Sequence, residues 1–135
     1  MKEITVKSTI NNIETVTDFV EEFIAPLDCP MKPKMLISIA IDEILSNIMH
    51  YAYAPEIGDI IIGVDISETP LCVTITFTDN GKPYNPLDYA SPDISLPAED
   101  RDIGGLGIFI TKNIIDEITY TYENNQNQLT LKKYL

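Results

Sequence analysis

The sequence predicts a two-layer α+β sandwich, a mixed and mostly antiparallel sheet with its helices packed on one face. Three observations carry that expectation. Ile60-Ile62-Val64-Ile66 and Leu71-Val73-Ile75-Phe77 alternate with polar residues and are separated by a short Glu68-Thr69-Pro70 turn, the pattern of an antiparallel hairpin. Two earlier stretches repeat apolar residues at helical spacing. A closing pair of strands, Ile118 to Tyr122 and one ending near Lys132, flanks an Asn-rich turn at Asn124 to Asn127.

In chain order, Ile4, Val6 and Ser8 alternate with polar residues in an opening strand, and Asn11-Asn12 offers a helix N-cap directly after it. Ile13, Val16, Val20, Phe23 and Ile24 then mark a first amphipathic helix, stopped by Pro26 and the Asp28-Cys29-Pro30 turn. A second helix is expected from Pro33 to about Tyr53. Met35, Ile39, Leu45, Ile48 and Met49 supply much of its apolar face, and Ala54-Pro55 ends it. Four prolines, at 83, 86, 92 and 97, fall between Asp79 and Gly105 together with Asp88, Asp93 and Ser95, which makes a long loop of the kind that is usually functional. A third helix fits Leu106 to Asp116.

At 135 residues the chain is expected to form one domain, 1–135, with a core that needs no disulfide. Cys29 and Cys72 lie far apart without metal-ligand spacing and are read as buried, reduced thiols. A formal net charge of −12 repels phosphate backbones and anionic lipid, so neither nucleic acid nor a membrane surface is an expected partner. Met1 to Ser8 lacks the apolar run of a secretion signal, and no segment approaches the roughly 20 apolar residues of a membrane span. The expected location is cytoplasmic. An acidic chain that binds a nucleotide needs a cation, and Mg²⁺ arrives with the phosphates while asking for only one or two protein oxygens.

Three elements carry chemistry. Glu43 and Asn47 are four residues apart on the second helix, hence on one face. The Asn47 oxygen suits Mg²⁺, and Glu43 suits a magnesium-bound water or the proton of an attacking hydroxyl. Phe77-Thr78-Asp79-Asn80-Gly81-Lys82-Pro83 ends a hydrophobic strand with a carboxylate and then a glycine. If the pocket takes adenine, Asp79 accepts from its exocyclic amine, Gly81 lets the backbone approach the ring, and guanine meets the carboxylate oxygen to oxygen. Ile103-Gly104-Gly105-Leu106-Gly107-Ile108 sets three glycines before a helix, where bare amides favour anions. Each element alone is commonplace: a polar helix stripe, a turn, a glycine-rich loop. Their order and settings all suit one nucleotide.

These elements resemble the GHKL ATPase superfamily of gyrase, the heat-shock chaperone, histidine kinases and mismatch-repair ATPases, and within it the stand-alone anti-sigma-factor type of serine-protein kinase. Glu43 and Asn47 match the N box, Asp79-x-Gly81-x-Pro83 the first glycine box, and Gly104-Gly105-Leu106-Gly107 the second. The resemblance implies that ATP is the cofactor, that Asn47 holds magnesium, that Asp79 holds adenine and that Glu43 is the general base. It also implies that Arg101 contacts the γ-phosphate, that the partner is a sigma factor or an anti-sigma-factor antagonist, and that the chain forms a homodimer. Many relatives carry a histidine four residues after the N-box Asn; here that place is Tyr51, and His50 stands one position earlier.

Three functions remain open at this point. A serine-protein kinase would pass the γ-phosphoryl of Mg·ATP to a partner. A binding module would hold ATP and sequester a sigma factor or another regulator. A nucleotide-free structural protein is the third.

Overall fold

The computed structural model describes residues 1–27, 29–88 and 105–135. Strand side chains alternate between faces, so residues directly opposite in a ladder share one face. In β2 (Asp59–Glu68) and β3 (Leu71–Asp79), Ile62 stands opposite Phe77 and Val64 opposite Ile75. The β5 strand (Gln126–Tyr134) continues the rows with Leu129 beside Phe77 and Leu131 beside Ile75. Its other neighbour, β4 (Glu117–Glu123), adds Tyr120 and Ile118, and β1 (Lys2–Lys7) adds Ile4 and Val6 on the far edge. The order is β1-β2-β3-β5-β4 and all four ladders are antiparallel, so the mixed sheet expected from the sequence is antiparallel throughout its described strands. The opposite face of β3, β4 and β5 carries Thr74, Thr76, Thr78, Thr119, Thr121 and Thr130, none of them buried. β-Branched residues suit a pleated surface, and the hydroxyls suit water.

The apolar face is covered by α1 (Asn12–Ile24), through Val16, Val20 and Ile24, and by α2 (Met31–Asn47), through Ile37, Ala40, Ile41, Ile44 and Leu45. A shorter helix, α3 (Gly105–Ile114), adds Ile108, and Ile115 follows it into the core. This is the two-layer architecture that the sequence predicts.

Local details differ for physical reasons. Neither asparagine caps α1 with its side chain. Asn12 instead donates through Nδ2 to the Lys7 carbonyl at 2.9 Å, tying the helix start to the end of β1, while turn bonds from the Asn12 and Ile13 amides to Thr9 and Ile10 satisfy the first turn. The second helix begins at Met31 and keeps Pro33 in its first turn, where a missing N–H breaks no intrahelical bond. It is α-helical only to Asn47; Ile48–Tyr53 widen into a π-helical turn, a distortion that recurs at functional sites.

Met35 and Ile39, expected on the apolar face, are 57% and 48% exposed. They lie on the opposite side of α2 from Ile37, Ile41 and Ile44, and line an open groove with Met31, Ala25 and Glu21. Cys72 is buried but Cys29 only half so. Among the described residues no helix is long and apolar enough to cross a membrane.

Phe77 is 1% exposed between Ile62 and Leu129 at the centre of the sheet. Phe77→Ala should cost about 3–5 kcal/mol through lost burial and the cavity left behind, read as a lower urea midpoint at unchanged slope.

Candidate nucleotide-binding site

The central strand ends at Asp79, whose side chain shares the inward face of Ile75 and Phe77 and is therefore buried, at 3% exposure. An ionised carboxylate there needs donors. Its Oδ1 accepts the Gly81 amide and the Asn127 Nδ2–H, each at 2.9 Å. Burial pushes the Asp79 carboxyl above the usual carboxylate range, and these two hydrogen bonds oppose that rise.

Asn127 stands directly across the β3–β5 ladder from Asp79 and is itself buried. Its Nδ2 also donates to the Lys82 carbonyl at 2.8 Å, while its Oδ1 accepts the Tyr84 amide at 3.0 Å and the Tyr120 hydroxyl. Both donors and both acceptor positions of the amide are in use. The sequence reading missed this residue by placing it in the Asn-rich turn, which is made by Asn124 and Asn125, both at positive φ. The signal was present: Asn127, Leu129 and Leu131 alternate with polar residues, so Asn127 is the inward-facing position next to the turn.

The Asp79-to-Pro83 turn is fastened to the π-helical segment. The Lys82 amide bonds the Ala52 carbonyl at 2.9 Å, and a Cβ on Gly81 would lie 2.5 Å from that same oxygen. Glycine is demanded here by backbone meeting backbone, a constraint separate from the approach of a ring. The Asn80 amide donates to the Tyr53 hydroxyl at 2.8 Å, which in turn donates to the Asp59 carbonyl at 2.6 Å. Pro83 is exposed.

On α2, Asn47 is 5% exposed and, among the described residues, its Nδ2 has no hydrogen-bond partner, a buried polar atom of the kind that calls for explanation. Rotating the amide puts Oδ1 in its place, which is the hard neutral oxygen that Mg²⁺ accepts. The residue thus fits the metal. One turn earlier Glu43 is half-buried. Desolvation raises its pKa most and the charge of Asp42 adds to the rise, while the nearby Asn47 amide lowers it without forming a hydrogen bond of good geometry.

A Cβ on Gly107 would fall 2.1 Å from the Glu43 carboxyl carbon, so the carboxylate lies directly on the first turn of α3. The first N–H groups of a helix lack intrahelical partners, which suits an anion at such a turn. Gly105 opens the helix. Arg101 and Gly104 lie outside the described residues, as do the Asp28 position and the side chain of Leu106.

Asn47, Asp79, Tyr84, Tyr120 and Asn127 line a cavity of about 20 Å³ floored by Phe77, Ile44 and Leu129. Such a volume holds about one water and is far smaller than a purine base. Tyr84 stacks on Tyr51 with ring centroids 4.9 Å apart and planes 14° from parallel. His50 is exposed, with Nδ1 2.7 Å from the Ser46 carbonyl.

Residues 6–133 match the family described as the histidine kinase-like ATPase domain. The chain belongs to this family. It is 26% identical over 101 residues to the serine/threonine-protein kinase BtrW of Bordetella bronchiseptica, an alignment that covers 75% of this chain and 70% of that one. It is 29% identical over 100 residues to the serine-protein kinase RsbW of Bacillus mycoides, covering 71% of this chain and 61% of the relative. Among solved structures, one holding RsbU and RsbW domains from Mycobacterium tuberculosis superposes on the whole of this chain and 33% of that one, with a TM-score of 0.68 at 17% identity. A histidine kinase domain from Erythrobacter litoralis covers 93% of this chain and 60% of its own, with a TM-score of 0.56 at 13% identity. These superpositions are likenesses of fold.

Because the folded-state pKa of Asp79 is raised, the folded chain binds more protons than the unfolded one between the two pKa values, and stability falls as pH climbs through that window. Asp79→Asn can still accept both bonds at Oδ1 while removing the buried charge. Without nucleotide the variant should melt at or above the temperature of the unsubstituted chain at neutral pH, and lose less stability as pH climbs above the ordinary carboxylate range; thermal scans at stepped pH measure both.

Proposed function

We propose that this chain binds Mg·ATP between α2, the Asp79-to-Pro83 turn and the start of α3, and transfers the γ-phosphoryl group to a serine hydroxyl of a partner protein in the cytoplasm. The observation that carries the reading is the seating of the Glu43 carboxylate on Gly107. It brings a base with a raised pKa to the helix N-terminus suited to phosphate, one turn from a buried Asn47 amide in need of a partner. The kinases RsbW and BtrW, similar at 29% and 26% identity over about a hundred residues, support the same reading.

In this proposal Asp79 accepts from the adenine amine, and the amides at the start of α3, with Gly104 and Arg101 before it, receive the phosphates. Asn47 holds the magnesium ion, which when bound neutralises phosphate charge. Glu43 takes the proton of the serine hydroxyl as its oxygen attacks the γ-phosphorus. The bond from that phosphorus to the bridging oxygen breaks, and ADP leaves with the electron pair. A pKa moved upward toward neutrality suits a base that must be ionised to act and still hold a proton afterwards. The partner class proposed for phosphorylation is an anti-sigma-factor antagonist protein.

A module that binds ATP without spending it is the second reading, favoured by Tyr51 in the place where many relatives carry a histidine. Two measurements separate them. Mg·ATP at millimolar concentration should raise the melting temperature of the unsubstituted chain and not that of Asp79→Asn. With γ-labelled ATP and an antagonist protein, label should reach the partner, and Glu43→Gln should slow that transfer by about 100-fold or more while leaving the thermal shift in place. A shift without transfer establishes the binding module; no shift at all ends the ATP reading.

A further inference from the structure

The amide of Asn127 is saturated: two N–H groups given to Asp79 and the Lys82 carbonyl, two lone pairs taken by the Tyr84 amide and the Tyr120 hydroxyl. While those bonds stand it has no capacity left for a ligand. What it does instead is hold Asp79. Two donors, the Gly81 amide and the Asn127 Nδ2, converge on Oδ1, and among the described residues Oδ2 makes no hydrogen bond. Asp79 and Asn127 both line the small cavity. The carboxylate is thereby fixed about its χ2 torsion with one oxygen committed to the protein and the other left for whatever fills that space.

We infer that Asn127 is a positioning residue for base selectivity, setting which oxygen of Asp79 the base meets and in what orientation. The inference rests on the ATP reading above and extends it. A locked Oδ2 offers one acceptor at one place, which matches an exocyclic amine and opposes a carbonyl. Discrimination of this kind is strong only while the buried polar group cannot turn away or recruit water. With Asn127 removed, Oδ1 keeps a single donor, and the Lys82 carbonyl and the Tyr84 amide lose theirs. Water drawn in to serve them can also bridge Asp79 to a guanine carbonyl, so selectivity falls even where the pocket still binds.

Calorimetric titration of Mg·ATP and of Mg·GTP into the unsubstituted chain, Asn127→Ala and Asn127→Ser tests the inference, with circular dichroism confirming that each is folded. The unsubstituted chain should prefer ATP by about 100-fold or more. Asn127→Ala should narrow that preference at least about tenfold, with ATP weakened more than GTP. Asn127→Ser, whose hydroxyl can still donate to Oδ1, should fall between the two. If the alanine chain does not fold, the serine chain carries the test, and its preference must lie below that of the unsubstituted protein. A folded variant that keeps the full preference would overturn the inference and leave the ATP reading standing; an unsubstituted chain that binds no ATP would overturn both.

Discussion

A carboxylate buried at the end of the central strand has to be held by donors, and most of the site is arranged around that requirement. Asp79 receives one hydrogen bond from its own turn and one from Asn127 across the ladder. Through Asn127 the same network reaches Tyr120 on β4 and the Lys82-to-Tyr84 backbone, and through Lys82 it reaches Ala52 in the π-helical turn after α2. Three strands and the end of a helix thus converge on one charge. The raised pKa shows that the donors offset the desolvation only in part. In the proposed function this buried carboxylate is the acceptor for the base.

The second centre is built on the same principle. Asn47 keeps a buried amide atom unpaired, a defect worth about 1–3 kcal/mol, and Glu43 beside it is held in surroundings that disfavour its charge. The missing side chain of Gly107 lets that carboxylate rest on the first turn of α3. A cation with phosphates would supply a partner for that amide and an anion for the first turn of α3. Binding a species that completes these groups would stabilise the fold by mass action.

Periodicity made the fold legible. Alternation in the two hairpins and the 3.6-residue recurrence in α1 and α2 follow directly from which face each element buries, so the two-layer class could be read from the sequence. Two of the differences depend on partners remote in sequence, and two on local competition. Asn127 acquires its role only from the register that sets it opposite Asp79. Gly81 is required by Ala52, nearly thirty residues earlier. Met35 and Ile39 have the hydropathy of core residues but the phase of the outer face, which the denser row of Ile37, Ile41 and Ile44 decides. Asn12 has the chemistry of a cap and spends it on β1. The motif positions Glu43, Asn47, Asp79, Gly81 and Gly107 were all readable as candidates. The contact of Glu43 with Gly107, which joins two of the three motifs, was not, because they are 64 residues apart and meet only when α3 packs beside α2.

The account turns on one pocket made from those separated pieces, and a crystal structure with Mg²⁺ and a non-hydrolysable ATP analogue addresses that most directly. It should show the adenine amine within hydrogen-bond distance of Asp79 Oδ2, the metal on Asn47 Oδ1 and the phosphates at the first turn of α3. Adenine bound elsewhere, with the Asp79–Asn127 pair still closed beneath Tyr84, would contradict it.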